Sequence, residues 1–126
     1  MRFGVLDQTP VRPGSTPVEA LGESVRLAQH VEALGFDRYW LAEHHGGQAL
    51  AGPAPEILTA RIASATSTLR VGTGGVMLMH YSPFKVAEQF RVLEALFPGR
   101  IDLGIGRAPG AIDGTPAGST PQPTIT

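Results

Sequence analysis

The chain has 126 residues, of which 42% are hydrophobic and 17% are charged, and its formal net charge is −1. This length suits one domain, and the apolar fraction is sufficient for a buried core. Because the sequence contains no cysteine, it excludes disulfides, thiolate zinc sites and cysteine nucleophiles. Its lysines and arginines are scattered, so neither nucleic acid nor a membrane surface is an expected partner. No apolar segment suits a signal peptide or a membrane span, and we expect a cytoplasmic protein.

Four β-like runs alternate with three helical patterns along the chain. The predicted strands lie near residues 2–7, 38–43, 69–76 and 100–105. The predicted helices cover about residues 17–34, 54–67 and 83–96. This alternation and spacing predict βαβ units with a parallel sheet, in sequential strand order and with right-handed crossovers. The fold class is therefore α/β, and at this point both a TIM barrel and a doubly wound sheet fit the pattern.

The first helix has the clearest boundaries. Thr16 suits the N-cap, Pro17 the first helical position and Glu19 the reciprocal bond of a capping box. Gly35 supplies a helix stop. Apolar residues recur at intervals of three and four, and we expect this stripe to face the sheet: Val18, Leu21, Val25, Ala28 and Val31.

The composition changes after Arg107. The last 19 residues contain four prolines, three glycines and four threonines, with two isoleucines as the only sizeable apolar residues. We therefore predict a folded domain over residues 1–110 and a disordered Pro/Gly/Thr-rich tail over residues 111–126. A closed (β/α)8 barrel needs about 250 residues. If the fold is a barrel, the predicted strands form only its first half, and the chain reads as truncated. We expect the inward faces of these strands to carry Val5, Trp40 or Leu41, Val71 or Thr73, and Leu103 or Ile105.

Ionisable side chains follow the second predicted strand, where the apolar run in "YWLAEHHGG" (39–47) ends in Glu43, His44 and His45. In parallel α/β folds the carboxyl ends of the strands meet at one rim, and ligands bind there. We expect these residues to converge with Asp7-Gln8, the segment Gly74 to His80, which begins within "GTGG" (72–75), and Arg107. Imidazoles, a guanidinium and bare backbone suit a planar, polar, anionic ligand.

Each of these features also has a plainer interpretation. His44 and His45 are also typical of a solvated loop. A metal site with Glu43 is disfavoured because adjacent residues at a strand end point to opposite faces. Glycines within strands often mark a bulge or a close backbone contact. Arg107 also suits the end of a strand without any ligand.

Taken in order, these pieces resemble the luciferase-like flavin-dependent monooxygenases, the superfamily of bacterial luciferase. The matching stretches are "FGVLDQTPV", "ALGFDRYWLAEHH", "APEILTARIASATSTLRVGTGGVML" and "YSPFKVAEQFRVLEALFPGRIDLGIGRAPG". They run from Met1 to about Gly110 and correspond to the amino-terminal third of a family member. The resemblance implies parallel βαβ units that form the first half of a TIM barrel.

The resemblance also implies the chemistry. Family members use reduced FMN, usually supplied by a separate reductase, to activate oxygen and oxidise a small organic substrate. By resemblance, His44 is the catalytic histidine that transfers protons near the flavin. Gly74 and Gly75 occupy the position of a non-prolyl cis peptide under the flavin ring, and Arg107 matches an arginine that helps hold the cofactor phosphate. Gly106 replaces the reactive cysteine of luciferase, which argues against an aldehyde-luciferase activity.

Two alternatives stay open beside this monooxygenase hypothesis. One is a hydride-transfer oxidoreductase that uses flavin or a deazaflavin without oxygen. The other is a non-catalytic remnant that binds flavin weakly, because the strands and phosphate-binding loops that complete a family member are missing. For the monooxygenase we expect a small-molecule substrate, a flavin reductase and a second copy of the same chain as partners, with no metal. For this chain alone we expect little or no activity.

Overall fold

The computed structural model describes residues 1–108. Its strands are β1 Gly4–Asp7, β2 Arg38–Leu41, β3 Arg70–Met77 and β4 Ile101–Gly106. Its α-helices are α1 Pro17–Ala33, α2 Pro55–Ala65 and α3 Pro83–Leu96. The predicted order and type of all seven elements are confirmed. A short 3₁₀ turn, Leu78–His80, follows β3 and was not predicted.

The four strands form one parallel sheet in the order β1-β2-β3-β4. The parallel α/β class and the sequential strand order are therefore as predicted. The register aligns Val5, Tyr39, Val71 and Ile101 across all four strands. Between Thr73 and Val76 the register of β3 against β4 shifts, so the pairing is irregular in the strand that carries the glycine run.

The capping box that the sequence predicts at α1 is present. The backbone N–H of Glu19 donates to the Thr16 hydroxyl, and the Glu19 carboxylate accepts from the Thr16 N–H. Beyond the end of α1, Gly35 has a φ of 83°, a left-handed conformation that a glycine adopts without strain.

The predicted apolar stripe of α1 was only partly right. Ala28 and Val31 are buried, but Val18 is 79% exposed and Leu21 is 37% exposed. The small residues Ala20 and Ser24 take the buried positions instead. Their short side chains let the helix lie close to the sheet, so the contacting face is rotated away from the larger apolar residues.

The core lies on the helix-covered face of the sheet. Its larger cluster joins α1 and α2 to the sheet and contains Ala28, Val31, Tyr39, Leu41, Leu58, Ile62, Ala63, Leu69 and Val71. A second cluster under α3 contains Val76, Val86, Phe90 and Leu93. Because side chains alternate along a strand, the opposite, inner face carries the residues between these positions.

That inner face consists of Leu6 on β1, Trp40 on β2, Gly72 and Gly74 on β3, and Asp102 on β4. Of the residues expected to point inward, Trp40 does so. The expectation was wrong for Val5, for Val71 or Thr73, and for Leu103 or Ile105. Val5 and Val71 pack in the larger core cluster, and Leu103 and Ile105 share its side of the sheet by alternation. Leu103 and Ile105 are exposed there because no helix among the described residues follows β4.

The predicted domain boundary after residue 110 and the predicted tail over residues 111–126 lie outside the described residues. Within residues 1–108, no helix is long and apolar enough to cross a membrane.

Candidate functional site at the carboxyl ends of the strands

The parallel sheet brings the predicted site residues to one rim. His44 lies three residues beyond β2, Gly74 and Gly75 lie in the carboxyl-terminal half of β3, and Arg107 follows β4 directly. Met77 pairs with Gly106 across these last two strands. His30 is remote from the rim, on the exposed side of the last turn of α1. The arrangement follows from topology, since every strand runs in the same direction.

Glu43 is the most highly connected side chain at this rim. It is 1% exposed. Its carboxylate accepts hydrogen bonds from the backbone N–H of Met77 and from the Tyr81 hydroxyl, and it lies 2.9 Å from Nε2 of His45. A carboxylate buried this deeply needs several donors to replace its water. Glu43 therefore ties the end of β2 to the end of β3 and to the turn that follows.

Rings surround this carboxylate on the solvent side. The His45 ring meets the His80 ring edge to face at a centroid distance of 5.1 Å, and His80 lies 6.1 Å from the Tyr81 ring. Burial and the hydrogen bond to Glu43 together raise the pKa of Tyr81. Tyr81 therefore remains a hydrogen-bond donor to Glu43 throughout the neutral range.

His44 is half-buried. Its backbone N–H donates to the carbonyl of Gly52 at 3.1 Å. Within residues 1–108, its Nδ1 atom is buried and has no hydrogen-bond partner. The same holds for the hydroxyl of Thr9, which a side chain at Gly52 would touch at 3.2 Å. Within residues 1–108, Nδ1 of His44 and Oγ1 of Thr9 are thus two buried polar atoms without a hydrogen-bond partner, and both lie beside the loop that follows β2.

The glycines of β3 serve two different purposes. A Cβ atom at Gly75 would lie 2.8 Å from the backbone of Gly104, and one at Gly72 would lie 2.3 Å from the carbonyl oxygen of Asp102. At these two positions the close approach of β4 requires glycine, as the plainer interpretation of the run suggested. A Cβ atom at Gly74 would instead face the Trp40 and Leu6 side chains, at 3.3 and 3.5 Å. Gly74 therefore leaves a bare patch on the inner face.

The peptide bond between Gly74 and Gly75 is cis. The resemblance implied this geometry at this position. Trp40 and Leu6, which border the patch, were not singled out as site residues in the sequence. Strict alternation from the buried Tyr39 could have identified Trp40, but the strand is apolar on both faces and gives no alternating pattern.

Asp7 does not belong to the site, although it ends β1 at the same rim. Its carboxylate is buried and accepts bonds from the Tyr39 hydroxyl at 2.6 Å and from the Thr9 N–H at 2.7 Å. Both acceptor oxygens are thus used to hold the first two strands and the following loop. Asp7 thus lies at the rim where the strand ends were expected to converge, but its carboxylate is bound within the fold.

A second charged cluster lies on the inner face at the opposite end of the strands. Asp102 pairs with Arg70 at 2.5 Å and with Arg38 at 3.2 Å. Burial raises the pKa of Asp102, but the hydrogen bonds from Arg70 and Arg38 outweigh it, so the pKa is lowered. This cluster links β2, β3 and β4 near their amino ends and is remote from the rim.

Two further features bear on the interpretation. No group of three or more acidic or histidine side chains in the described part of the chain is arranged to hold a metal ion. A groove of about 1240 Å³ runs between α1 and α2 on the outer side and is lined by residues such as Leu21, Val25, Leu50 and Ile57. None of the predicted site residues lines it.

Comparison with known proteins identifies what this arrangement is similar to. A family model described as luciferase-like monooxygenase matches residues 1–124. The N-acetyl-S-alkylcysteine monooxygenase of Bacillus subtilis (strain 168) is 51% identical over 110 residues, which are 87% of this chain and 33% of that protein.

Solved structures agree with this match. The crystal structure of apo-MsnO8 has a TM-score of 0.83 and 57% identity, over 85% of this chain and 32% of that chain. The oxygenating constituent of 3,6-diketocamphane monooxygenase from the CAM plasmid of Pseudomonas putida was solved in complex with FMN. This type II Baeyer–Villiger enzyme has a TM-score of 0.80 and 27% identity, over 86% of this chain and 30% of that chain. The structural neighbours are TIM barrels, and this chain spans about a third of the length of its relatives.

Proposed function

Because the chain belongs to the luciferase-like monooxygenase family, an oxidoreductase family, we propose that residues 1–108 form the flavin-facing part of an FMN-dependent monooxygenase. In this proposal His44 transfers protons beside the flavin, Gly74 and Gly75 lie under the flavin ring, and Arg107 contacts the cofactor phosphate. FMN, when bound in its reduced form, supplies the electrons that activate oxygen.

The observation that carries the proposal is the bare inner face at Gly74. A flat ring needs an open surface with apolar borders, and Gly74 leaves such a surface next to Trp40 and Leu6. Leu6 is 56% exposed, so its apolar side chain is available to a ligand. Aromatic and aliphatic side chains around a few polar groups are the usual lining of a cofactor site.

The polar groups at the rim support the same cofactor. Imidazole is the side chain best suited to proton transfer near neutral pH, and the buried, unpaired Nδ1 of His44 leaves hydrogen-bonding capacity for a group beyond residues 1–108. The Arg107 guanidinium is permanently charged and exposed, and its fork of donors matches a phosphate. The residues present therefore fit FMN.

FMN is preferred to a deazaflavin because an FMN-bound monooxygenase is among the similar structures. The hydride-transfer alternative rests on no feature of residues 1–108. We further propose that a separate reductase supplies the reduced flavin, that the protein acts in the cytoplasm where such reductases work, and that the complete protein is a homo-oligomer. The substrate is a small organic molecule, and a thioether is the first class to examine, given the name of the Bacillus subtilis relative.

A chimera tests this proposal in a complete barrel. Residues 1–108 would replace the matching segment of the Bacillus subtilis N-acetyl-S-alkylcysteine monooxygenase. We expect the chimera to bind FMN and, with reduced FMN in air, to oxidise an N-acetyl-S-alkylcysteine. A folded chimera that binds no FMN would overturn the proposal.

Two histidine variants of the chimera test the assigned role of His44. His44→Ala should slow turnover by about 10²–10⁴-fold, the usual contribution of a positioned acid or base, with FMN affinity largely unchanged. His30→Ala is the matched control and should leave both properties unchanged, because His30 is exposed on α1. If His44→Ala weakens FMN binding as much as turnover, His44 is a binding residue and not a proton-transfer residue.

A further inference from the structure

The environment of Glu43 is unusual for a charged side chain. Its side chain is completely buried, and no Lys or Arg within residues 1–108 lies within ion-pairing distance of it. Three donors surround it: the Met77 N–H, the Tyr81 hydroxyl and the ring of His45. The first belongs to the last residue of β3 and the second to the residue that ends the 3₁₀ turn, so together they hold the carboxylate in one orientation.

We propose that Glu43 is a positioning residue that fixes the tautomer of His45 and thereby makes His45 a second proton-transfer imidazole at the rim. The inference rests on the proposed function for the use of His45, but the tautomer itself is a property of the chain alone. Glu43 and His45 thereby join His44, Gly74, Gly75 and Arg107 as residues with a proposed role.

The hydrogen-bond donors and acceptors of Glu43 and His45 determine which ring nitrogen of His45 carries the proton. An ionised carboxylate only accepts hydrogen bonds, and a neutral imidazole has one N–H donor and one acceptor nitrogen. Since Nε2 of His45 lies 2.9 Å from the Glu43 carboxylate, the proton of the neutral ring must be on Nε2. The lone pair is then on Nδ1, and this nitrogen is the one able to accept a proton.

The position of His45 suits that role. Its side chain is 29% exposed while that of Glu43 is 0% exposed, so the ring connects a buried charge with the open rim. A proton accepted at Nδ1 gives an imidazolium whose charge lies against the carboxylate. A buried carboxylate that orients an imidazole and stabilises its cationic form is a recurrent device in proton transfer.

Tyr81, the other side-chain donor to Glu43, does not compete with His45 for a proton. The His80 ring contacts His45 edge to face, and Tyr81 donates its own proton to Glu43. The raised pKa of Tyr81, caused first by burial and then by its bond to Glu43, keeps the phenol protonated. The charge of Glu56 also raises the pKa of Tyr81.

Nitrogen NMR of the whole chain tests the proposal. Solid-state spectra of protein with ¹⁵N-labelled histidine rings distinguish the two neutral tautomers whatever the size of any assembly. His45→Asn identifies the His45 signals among those of the four histidines. At neutral pH we expect wild-type His45 to carry its proton on Nε2. In Glu43→Gln the tautomer ratio should shift about tenfold toward the Nδ1 form, as expected when a charged acceptor is lost.

Two controls sharpen the measurement. Glu88→Gln removes an exposed carboxylate of α3 and should leave the His45 signals unchanged. Tyr81→Phe removes one donor to Glu43 but keeps the carboxylate, so the tautomer ratio should also stay as in the wild type. A shift in Tyr81→Phe as large as that in Glu43→Gln would assign the effect to the tyrosine and contradict the proposal.

Wild-type His45 protonated on Nδ1, or a Glu43→Gln ratio equal to that of the wild type, would overturn the inference. If Glu43→Gln does not fold, the wild-type spectrum alone decides. No flavin is present in this experiment, so its failure is distinct from a failure of the chimera to bind FMN.

Discussion

The hydroxyl of Tyr39 donates a 2.6 Å hydrogen bond to the carboxylate of Asp7, and both residues are buried on the helix-covered face of the sheet. The same hydroxyl lies 3.2 Å from the carbonyl of Ser24 on α1. One side chain therefore joins β1, β2 and the first helix just below the rim that carries the candidate site.

This contact predicts a clear stability effect. Tyr39→Phe should lower the free energy of unfolding by about 1–3 kcal/mol, because a buried carboxylate loses a donor that nothing else replaces. Urea denaturation measures the change. The variant Tyr81→Phe provides a comparison, since Glu43 keeps two other donors and the loss should be smaller. An unchanged midpoint for Tyr39→Phe would show that the bond contributes little to the fold.

The two tyrosines also predict how stability depends on alkaline pH. Burial, followed by the hydrogen bond to a carboxylate, raises the pKa of both Tyr39 and Tyr81 above the ordinary value of 10.0. A raised pKa in the folded state means that this stabilisation is complete below about pH 10 and is lost as the pH rises further. The free energy of unfolding should therefore fall above about pH 10.

Ultraviolet absorbance of tyrosinate checks this directly, because Tyr39 and Tyr81 are the only tyrosines of the chain. At about pH 10 the folded chain should show almost no tyrosinate, whereas the urea-unfolded chain should be about half ionised. Half ionisation of the folded chain at that pH would contradict the burial and hydrogen bonding of Tyr39 to Asp7 and of Tyr81 to Glu43.

One glycine of the sheet and one of a helix give a matched pair of substitutions. A Cβ atom at Gly104 would lie 2.0 Å from the carbonyl oxygen of Thr73, whereas one at Gly22 in α1 would meet only the flexible end of Arg26 at 3.5 Å. Gly104→Ala should destabilise the chain by about 1–3 kcal/mol or more, since strand backbones must separate. Gly22→Ala should stabilise it by about 0.5–1 kcal/mol through helix propensity.

Thermal or urea unfolding of the two variants provides the test. Opposite signs are expected for the same chemical change, one added methyl group. A tolerated alanine at Gly104 would mean that β3 and β4 are not as closely packed as the structure has them.

The spacing of apolar residues, together with the residues that begin and end helices, was sufficient to predict the helices and strands of this fold. The capping box at Thr16 and Glu19, and the regular alternation of strand and helix, are local signals. Which face of each strand points inward was predicted wrongly for Val5, because a parallel strand covered on both sides is apolar at successive positions. Neighbouring Leu6 has the same hydrophobic character, so composition does not distinguish them.

Strand topology predicted which residues of the site lie at one rim, but not the contacts between their side chains. Parallel strands must bring His44 and Arg107 to one rim, whatever their roles. The bonds of Glu43 to Met77 and Tyr81 join residues 34 and 38 positions apart in sequence, and no local pattern encodes them. The structural role of Asp7 was missed for the same reason, since its partner Tyr39 is 32 residues away.

We propose that a flavin lies over Gly74, next to Trp40, and the fluorescence of this single tryptophan reports directly on such binding. Titration of the chain with FMN should quench the Trp40 fluorescence in a weak but saturable manner. Gly74→Val should abolish the saturable quenching because its side chain occupies the bare patch, while Gly22→Ala should behave as the wild type. Free tryptophan amide at the same FMN concentrations corrects for absorption by the flavin. Quenching no greater than that of the free amide, or equal quenching in the wild type and Gly74→Val, would contradict the account.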